Sequence, residues 1–359
     1  MKRSGSSAAR AAAILVATAL PAAAQQVPHG IVTLETLGGD GVSGRAALDL
    51  AQMFDDGGTR RLMPVLGVGA FQNVVDLATV KDLDLAIVQQ DALDLARRHN
   101  LDPAIDRMTY VARLYDEDLH IVAHKGVTGL AALSGKVVDF GPEGGGAAVT
   151  GPAVFAAAGV PVVPAHDPPE LALARLARGE IGAMVLIGAP PVPLLATLEP
   201  GSNLRLVAAP PTAGYGSAQL EAEDYPALVP QGGTIDTVSA GMVLAAADHP
   251  SGDAHAADVA AFIDAFLAHL PALREPGHAP QWRDVEASAE LPGWRRSPAA
   301  AAWLQANAPS AAAQPATELK EAFDRFLDDR MKKTGLPLTQ AQKDALFAQF
   351  QRLQGDGPR

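Results

Sequence analysis

One local pattern recurs through the first third of the chain: a short apolar run, a turn, then a stretch of helical period. Ile31–Leu37 is closed by Gly38, Gly39, Asp40 and Gly41, and Arg45–Phe54 follows with Ala47, Leu48, Leu50, Ala51 and Phe54 on one stripe. Leu62–Leu66 passes through Gly67–Asn73 into a second helical stretch, and Leu83–Val88 ends in Gln89, Gln90 and Asp91. Apolar runs of strand length that alternate with helices predict a parallel, doubly wound α/β sheet, its strands buried on both faces. In such a sheet the loops at the carboxyl ends of the strands line a common crevice.

A second α/β pattern begins at Leu119–His124 and continues through Glu180–Ile187. Within it the strand Lys136–Phe140 runs into Gly141, Pro142, Glu143, Gly144, Gly145 and Gly146, and an alanine-rich helix starts directly after. Three glycines allow a sharp turn and leave the first helical amides uncovered, a cradle for a carboxylate or phosphate; an ordinary strand-to-helix turn has the same sequence. Asp236–Ala247 reads as a crossover strand that returns the chain to the first lobe, where Ala256–His269 forms a helix. The predicted boundaries are a signal peptide over 1–24, a discontinuous first lobe over 27–122 and 236–305, a second lobe over 123–235, a linker over 306–317 and a helical extension over 318–359. Beyond Pro271, the segment with Trp282, Trp294 and Trp303 reads as irregular. In the extension, helices are predicted over Glu318–Lys333 and Thr339–Leu353. Leu319, Phe323, Phe326, Leu327 and Met331 share one face of the first, and Thr339 with Gln342 forms a capping box for the second.

At the N-terminus Lys2, Arg3 and Arg10 precede the apolar run Ala11–Leu20, with Pro21 and three alanines after it. That is the layout of a secretory signal peptide cleaved near Ala24, too short to span a bilayer, which predicts a periplasmic protein without stable membrane insertion after cleavage. The 359 residues include no cysteine, which excludes disulfides, thiolate metal sites and a cysteine nucleophile. A formal net charge of −12 argues against nucleic acid as a partner.

Three chemistries are weighed and set aside. Gly39–Gly44 matches the dinucleotide-binding spacing G-x-G-x-x-G, yet no acid stands at the end of the second strand, near Leu66–Val68, to hold a ribose. No G-x-S-x-G elbow is present, and His120 with His124 form a pair on one strand face without a third metal ligand. No catalytic residue, metal site or cofactor is therefore assigned. Arg45 and Arg113 are the guanidinium groups placed to reach a crevice, with Asp116, Glu117 and Asp118 as competing partners for Arg113.

Six segments in order carry a resemblance: GGDGVSG at Gly38–Gly44, GVGAFQN at Gly67–Asn73, DLDLAIVQQDALDLA at Asp82–Ala96, LYDEDLHIV at Leu114–Val122, LSGKVVDFGPEGGGAAVT at Leu133–Thr150 and EDYPALVPQGGTIDTVSAGMVLAA at Glu223–Ala246. The chain resembles the NMT1-like TAXI family, the substrate-binding receptors of TRAP transporters. The resemblance implies a two-lobed type II periplasmic binding protein (a Venus flytrap) that captures a small carboxylate, an organic acid or an amino acid such as glutamate, for a TRAP-type membrane permease. A degenerate receptor acting as a periplasmic sensory or interaction protein is the alternative. The implied ligand contacts are Gly39, Asp40 and Ser43 in the first turn, Gly69, Ala70 and Asn73 in the second, Gln89, Gln90 and Asp91 in the third. Gly144, Gly145, Gly146, Ala147 and Pro190 complete the set from the other lobe.

Overall fold

The computed structural model describes residues 30–37, 42–249 and 254–308, together with 320, 323, 327, 339, 340, 342–344, 346 and 347. The expected signal peptide and the turn 38–41, with Gly39 and Asp40, lie outside the described residues, as does most of the expected linker. The chain forms two compact units, Met1–Ala301 and Ala302–Arg359.

In the first unit the predicted β–α alternation is present. Strand β1 (Ile31–Thr36) leads to helix α1 (Val42–Phe54), β2 (Arg61–Leu66) to α2 (Ala70–Thr79), and β3 (Leu85–Gln89) to α3 (Gln90–Arg98). The long strand β4 (Thr109–His124) follows, then β5 (Val137–Asp139), α4 (Ala147–Ala157), β6 (Val163–Ala165), α5 (Pro169–Ala177) and β7 (Ala183–Gly188). A short helix α6 (Pro193–Ala196) precedes β8 (Leu204–Val207), β9 (Gly216–Glu221) and β10 (Thr234–Ala246), and α7 (Ala254–Leu273) and α8 (Pro298–Ala306) close the series.

All ten strands join one sheet in the order β2-β1-β3-β10-β4-β7-β5-β6, with β8 beside β4 and β9 beside β10. β1 pairs in parallel with β2 and β3, and β5 with β6 and β7, as the crossover helices require. β4 and β10 run antiparallel to each other and belong to both halves of the sheet. The C-terminal part of β10 pairs with β3 and its N-terminal part with β9, while the C-terminal part of β4 pairs with β7 and β8. The register between these two strands shifts between Gly241 and Val243, next to Glu117 paired with Ala240. A β-bulge bends a strand locally.

Separate apolar cores flank the two halves. Val74, Leu77, Val88, Leu93, Met108 and Trp294 pack beside the first; Leu119, Val138, Phe140, Val154, Phe155 and Val185 pack beside the second. Two carboxylates, the buried Asp49 and the half-buried Asp94, anchor the irregular segment after α7. Asp49 accepts hydrogen bonds from the Ala279 amide at 2.7 Å and the Trp282 indole at 2.8 Å, and Asp94 accepts from the Trp294 indole at 2.9 Å.

Several elements depart from the sequence expectation. β4 begins ten residues before Leu119, because its charged stretch Arg113–Asp118 pairs with β10, which buries Glu117 and leaves Arg113, Asp116 and Asp118 partly exposed. α1 starts three residues before Arg45. α7 runs through Pro271, which stands in its last turn, and Trp303 is helical rather than irregular. In the second unit the Thr339 amide donates to Gln342 Oε1 at 2.9 Å and the Gln342 amide lies 3.4 Å from Thr339 Oγ1, the predicted capping box. The Phe323 and Phe347 rings are 5.4 Å apart and Leu327 is buried. Leu319, Phe326 and Met331 lie outside the described residues.

Candidate functional site

The loops at the ends of β1, β2 and β3 meet the glycine turn after β5 where the two halves of the sheet face each other. The Gly144 carbonyl accepts hydrogen bonds from the Phe71 and Gln72 amides at 3.0 and 3.2 Å, and so caps the start of α2 from the other half. The approach demands glycine at position 69, where a Cβ would lie 2.6 Å from Gly145 Cα and 2.7 Å from Gly144 O, and Gly144 opposite it has a positive φ of 82°. Asp91, at the start of α3, accepts from Thr150 Oγ1 at 2.6 Å and from Tyr215 OH at 3.0 Å, a second bridge between the halves.

Between these bridges lies a cavity of about 320 Å³ lined by Gly69, Ala70, Gln89, Glu117, Gly145, Gly146 and Ala147 among others. That is the low end of the roughly 300–1,000 Å³ usual for small-molecule sites. A neighbouring cavity of about 570 Å³ shares Leu37, Glu117 and Ile187 with it and adds Ser43, Arg45 and Pro190. Helix α4 opens onto the smaller cavity. No side chain caps its start, and the amides of Gly146, Ala147 and Ala148 have no acceptor among the described residues. Gln89 is fully buried, and neither its Oε1 nor its Nε2 has a hydrogen-bond partner among the described residues. It reaches across to the glycine turn, for a Cβ on Gly146 would fall 1.9 Å from Gln89 Oε1.

Of the residues singled out from sequence, the cavities thus gather Ser43, Gly69, Ala70, Gln89, Gly145, Gly146, Ala147 and Pro190. Gly144 stands beside them and gives its carbonyl to α2. Three others are engaged elsewhere. Asn73 is buried and donates from Nδ2 to Thr36 O at 3.0 Å and Ile87 O at 3.1 Å, so its amide group ties β1 to β3. Asp91 gives one carboxylate oxygen to Thr150 and Tyr215, its other oxygen is buried with no partner among the described residues, and burial raises its pKa. Gln90 lies over Gly241 near Arg113 and Asp116. Ser43 lines the wider cavity, while its Oγ accepts the Leu37 amide at 2.9 Å and holds the β1–α1 turn.

Sequence reasoning passed over Glu117 except as a partner for Arg113, which pairs instead with Asp116 at 2.6 Å. Glu117 is buried and lines both cavities. Burial, and then the charge of Asp118, push its pKa up to about 8. The alternation of a strand carried the signal, since it turns Glu117 to the face opposite Asp116 and Asp118. His120 is buried between the Asp118 carbonyl at 2.8 Å and Tyr225 OH at 2.7 Å, and burial lowers its pKa to about 4. No group of metal-ligating side chains occurs among the described residues.

A family model described as the NMT1-like family matches residues 65–246. No curated protein matches the chain. Among solved structures, PhnD1 from Prochlorococcus marinus in complex with methylphosphonate is similar at 15% identity and a TM-score of 0.46, covering 71% of this chain and 89% of its own. Tv2483 bound to L-arginine is similar at 13% identity and a TM-score of 0.46, covering 74% and 96%. The periplasmic aliphatic sulphonate binding protein SsuA from Escherichia coli is similar at 16% identity and a TM-score of 0.42, covering 84% and 93%.

Proposed function

The chain belongs to the NMT1-like family, and on that premise we propose that it is a non-catalytic solute receptor that holds a small carboxylate in the cleft between two lobes. The observation that carries this reading is the pairing of the uncapped start of α4 with the buried Gln89 amide across one cavity of about 320 Å³. Helical amides and the helix dipole favour an anion, and a buried amide without a partner calls for one from a ligand. A small carboxylate meets both needs. The bulged midpoints of β4 and β10 would serve as the hinge, and the Gly144 and Asp91 bridges would hold the closed form.

We place the chain with the TAXI-type receptors of TRAP transporters, with lobes over 27–122 plus 236–305 and over 123–235. Two things support this: the order of the six segments, and the meeting of four of them, Gly67–Asn73, Asp82–Ala96, Leu114–Val122 and Leu133–Thr150, at the cleft. Export to the periplasm rests on the basic and apolar pattern of the first 24 residues. The test is a thermal-shift screen of organic acids and amino acids on protein unfolded and refolded to strip bound solute. A ligand at 100 times its Kd adds about 2.7 kcal/mol of stability, roughly 5–10 °C in midpoint for a domain of this size. A midpoint unmoved by every carboxylate would refute the reading.

A further inference from the structure

We propose that Glu117 makes closure of the two lobes proton-linked: its carboxyl takes up a proton as the cleft shuts and loses it as the cleft opens, so that the grip on a solute weakens as pH rises. This rests on the two-lobed closure of the reading above and adds a regulation of that site, whatever solute it holds. Glu117 stands at the middle of β4, opposite Ala240 of β10, where the strands pass from one half of the sheet to the other and where their register shifts. It also lines both the 320 Å³ and the 570 Å³ cavities. One carboxyl group therefore sits at the hinge and inside the space that hinge motion opens to water.

The protein supplies Glu117 with no counter-charge. Its carboxyl has neither a hydrogen bond nor an ion pair among the described residues. On its own strand, Asp118 adds a like charge, Tyr115 is buried beside it, and Arg113 turns to Asp116. β10 brings Ala240 and Gly241 alongside, and β3 and α4 bring the uncharged Gln89 and Ala147 to the same cavity. Across the wider cavity, Arg45 of α1 gives its guanidinium to the Gly277 carbonyl at 3.2 Å, and Gln281 beyond α7 is uncharged. A carboxyl removed from water without a cation keeps its proton. Burial, and then the charge of Asp118, hold its pKa at about 8 in this arrangement. Wetted by an open cleft, the group returns toward the ordinary 4.5, so between those values the closed form carries the extra proton. Closure therefore weakens as pH rises through the window, by up to about tenfold per pH unit and about 50-fold from pH 6 to 8.

Two measurements test this. The chain has no cysteine, so Leu66→Cys with Leu171→Cys, exposed on β2 and α5, carries a spin-label pair whose distance reports closure without any solute. The ratio of closed to open protein should fall roughly tenfold or more from pH 6 to 8 and stay level once Glu117→Gln is added. Glu35→Gln, which lines neither cavity, should keep the fall. Calorimetry with pyruvate, L-lactate and L-glutamate, whose charge is constant over that range, should show a Kd that rises to the same degree for whichever binds. It should also show uptake of close to one proton at pH 7, read from buffers of different ionisation enthalpy. A closed fraction indifferent to pH, binding without proton uptake, or pH dependence that survives in Glu117→Gln would each overturn the proposal. Binding that is tight and level from pH 6 to 8 would do so while the receptor reading stands. A pH-dependent label distance with no binding of any of the three acids would keep the proton-linked hinge and count against the receptor reading.

Discussion

Glu117 should make the protein less stable as pH rises through neutrality, and Glu117→Gln should remove that penalty. The carboxyl moves from an ordinary 4.5 to about 8 on folding. The native state therefore binds more protons than the unfolded chain between those values, and stability falls with rising pH across that window. At about 1.4 kcal/mol per pH unit the full penalty is roughly 5 kcal/mol above pH 8. Integrated for this one group, it is about 1 kcal/mol at pH 5, about 3 at pH 7 and about 4 at pH 8. The amide of Gln does not titrate, and Glu35, raised to about 7, and Asp118, raised to about 6, are common to both proteins. Urea unfolding at pH 5, 6, 7 and 8 should thus show the gap between variant and wild type widening in the variant's favour by roughly 3 kcal/mol. A gap flat within about 1 kcal/mol over that range would refute the claim that Glu117 is buried without a cation.

Three further outcomes follow from the cleft. Gly146→Ala puts a methyl group 1.9 Å from Gln89 Oε1, so the Gln89 amide must swing away; solute affinity should drop at least tenfold by calorimetry while the folded fraction holds. Unchanged affinity would separate Gln89 from the site. Tyr215→Phe removes the hydroxyl that bridges to Asp91, costing the closed form about 1 kcal/mol and weakening binding about fivefold; an equal Kd would mean the bridge does not favour closure. Asn73→Ala strips buried partners from the Thr36 and Ile87 carbonyls and should lower unfolding free energy by about 2–4 kcal/mol, with a loss under 1 counting against the strand-tying role.

Much of the fold was legible because periodicity is a local property. The apolar runs and glycine turns placed β1, β3, β5, β10 and the helices after them, since a strand buried on both faces must be apolar throughout and a chain reversal before a helix favours glycine. The uncapped start of α4 was legible for the same reason: amides left open at a helix start after a glycine turn follow from the backbone alone.

Tertiary structure decided which half-charged segment is core and which polar groups face the cleft. Arg113–Asp118 carries four charges within six residues and reads as exposed, yet β10 pairs along it and buries Glu117. Strand alternation divides the three consecutive acids between two faces, but only the folded sheet shows that the face of Glu117 looks into the cavity. Asn73 and Gln89 were read alike, as amides on crevice loops. Once folded, Asn73 finds two backbone carbonyls and ties strands together, while Gln89 finds no partner among the described residues and lines the cavity. Sequence determined the backbone's turns and the chemical types available. Which side chain is satisfied by the protein depends on residues dozens of positions away, and that pairing exists only after the sheet has formed.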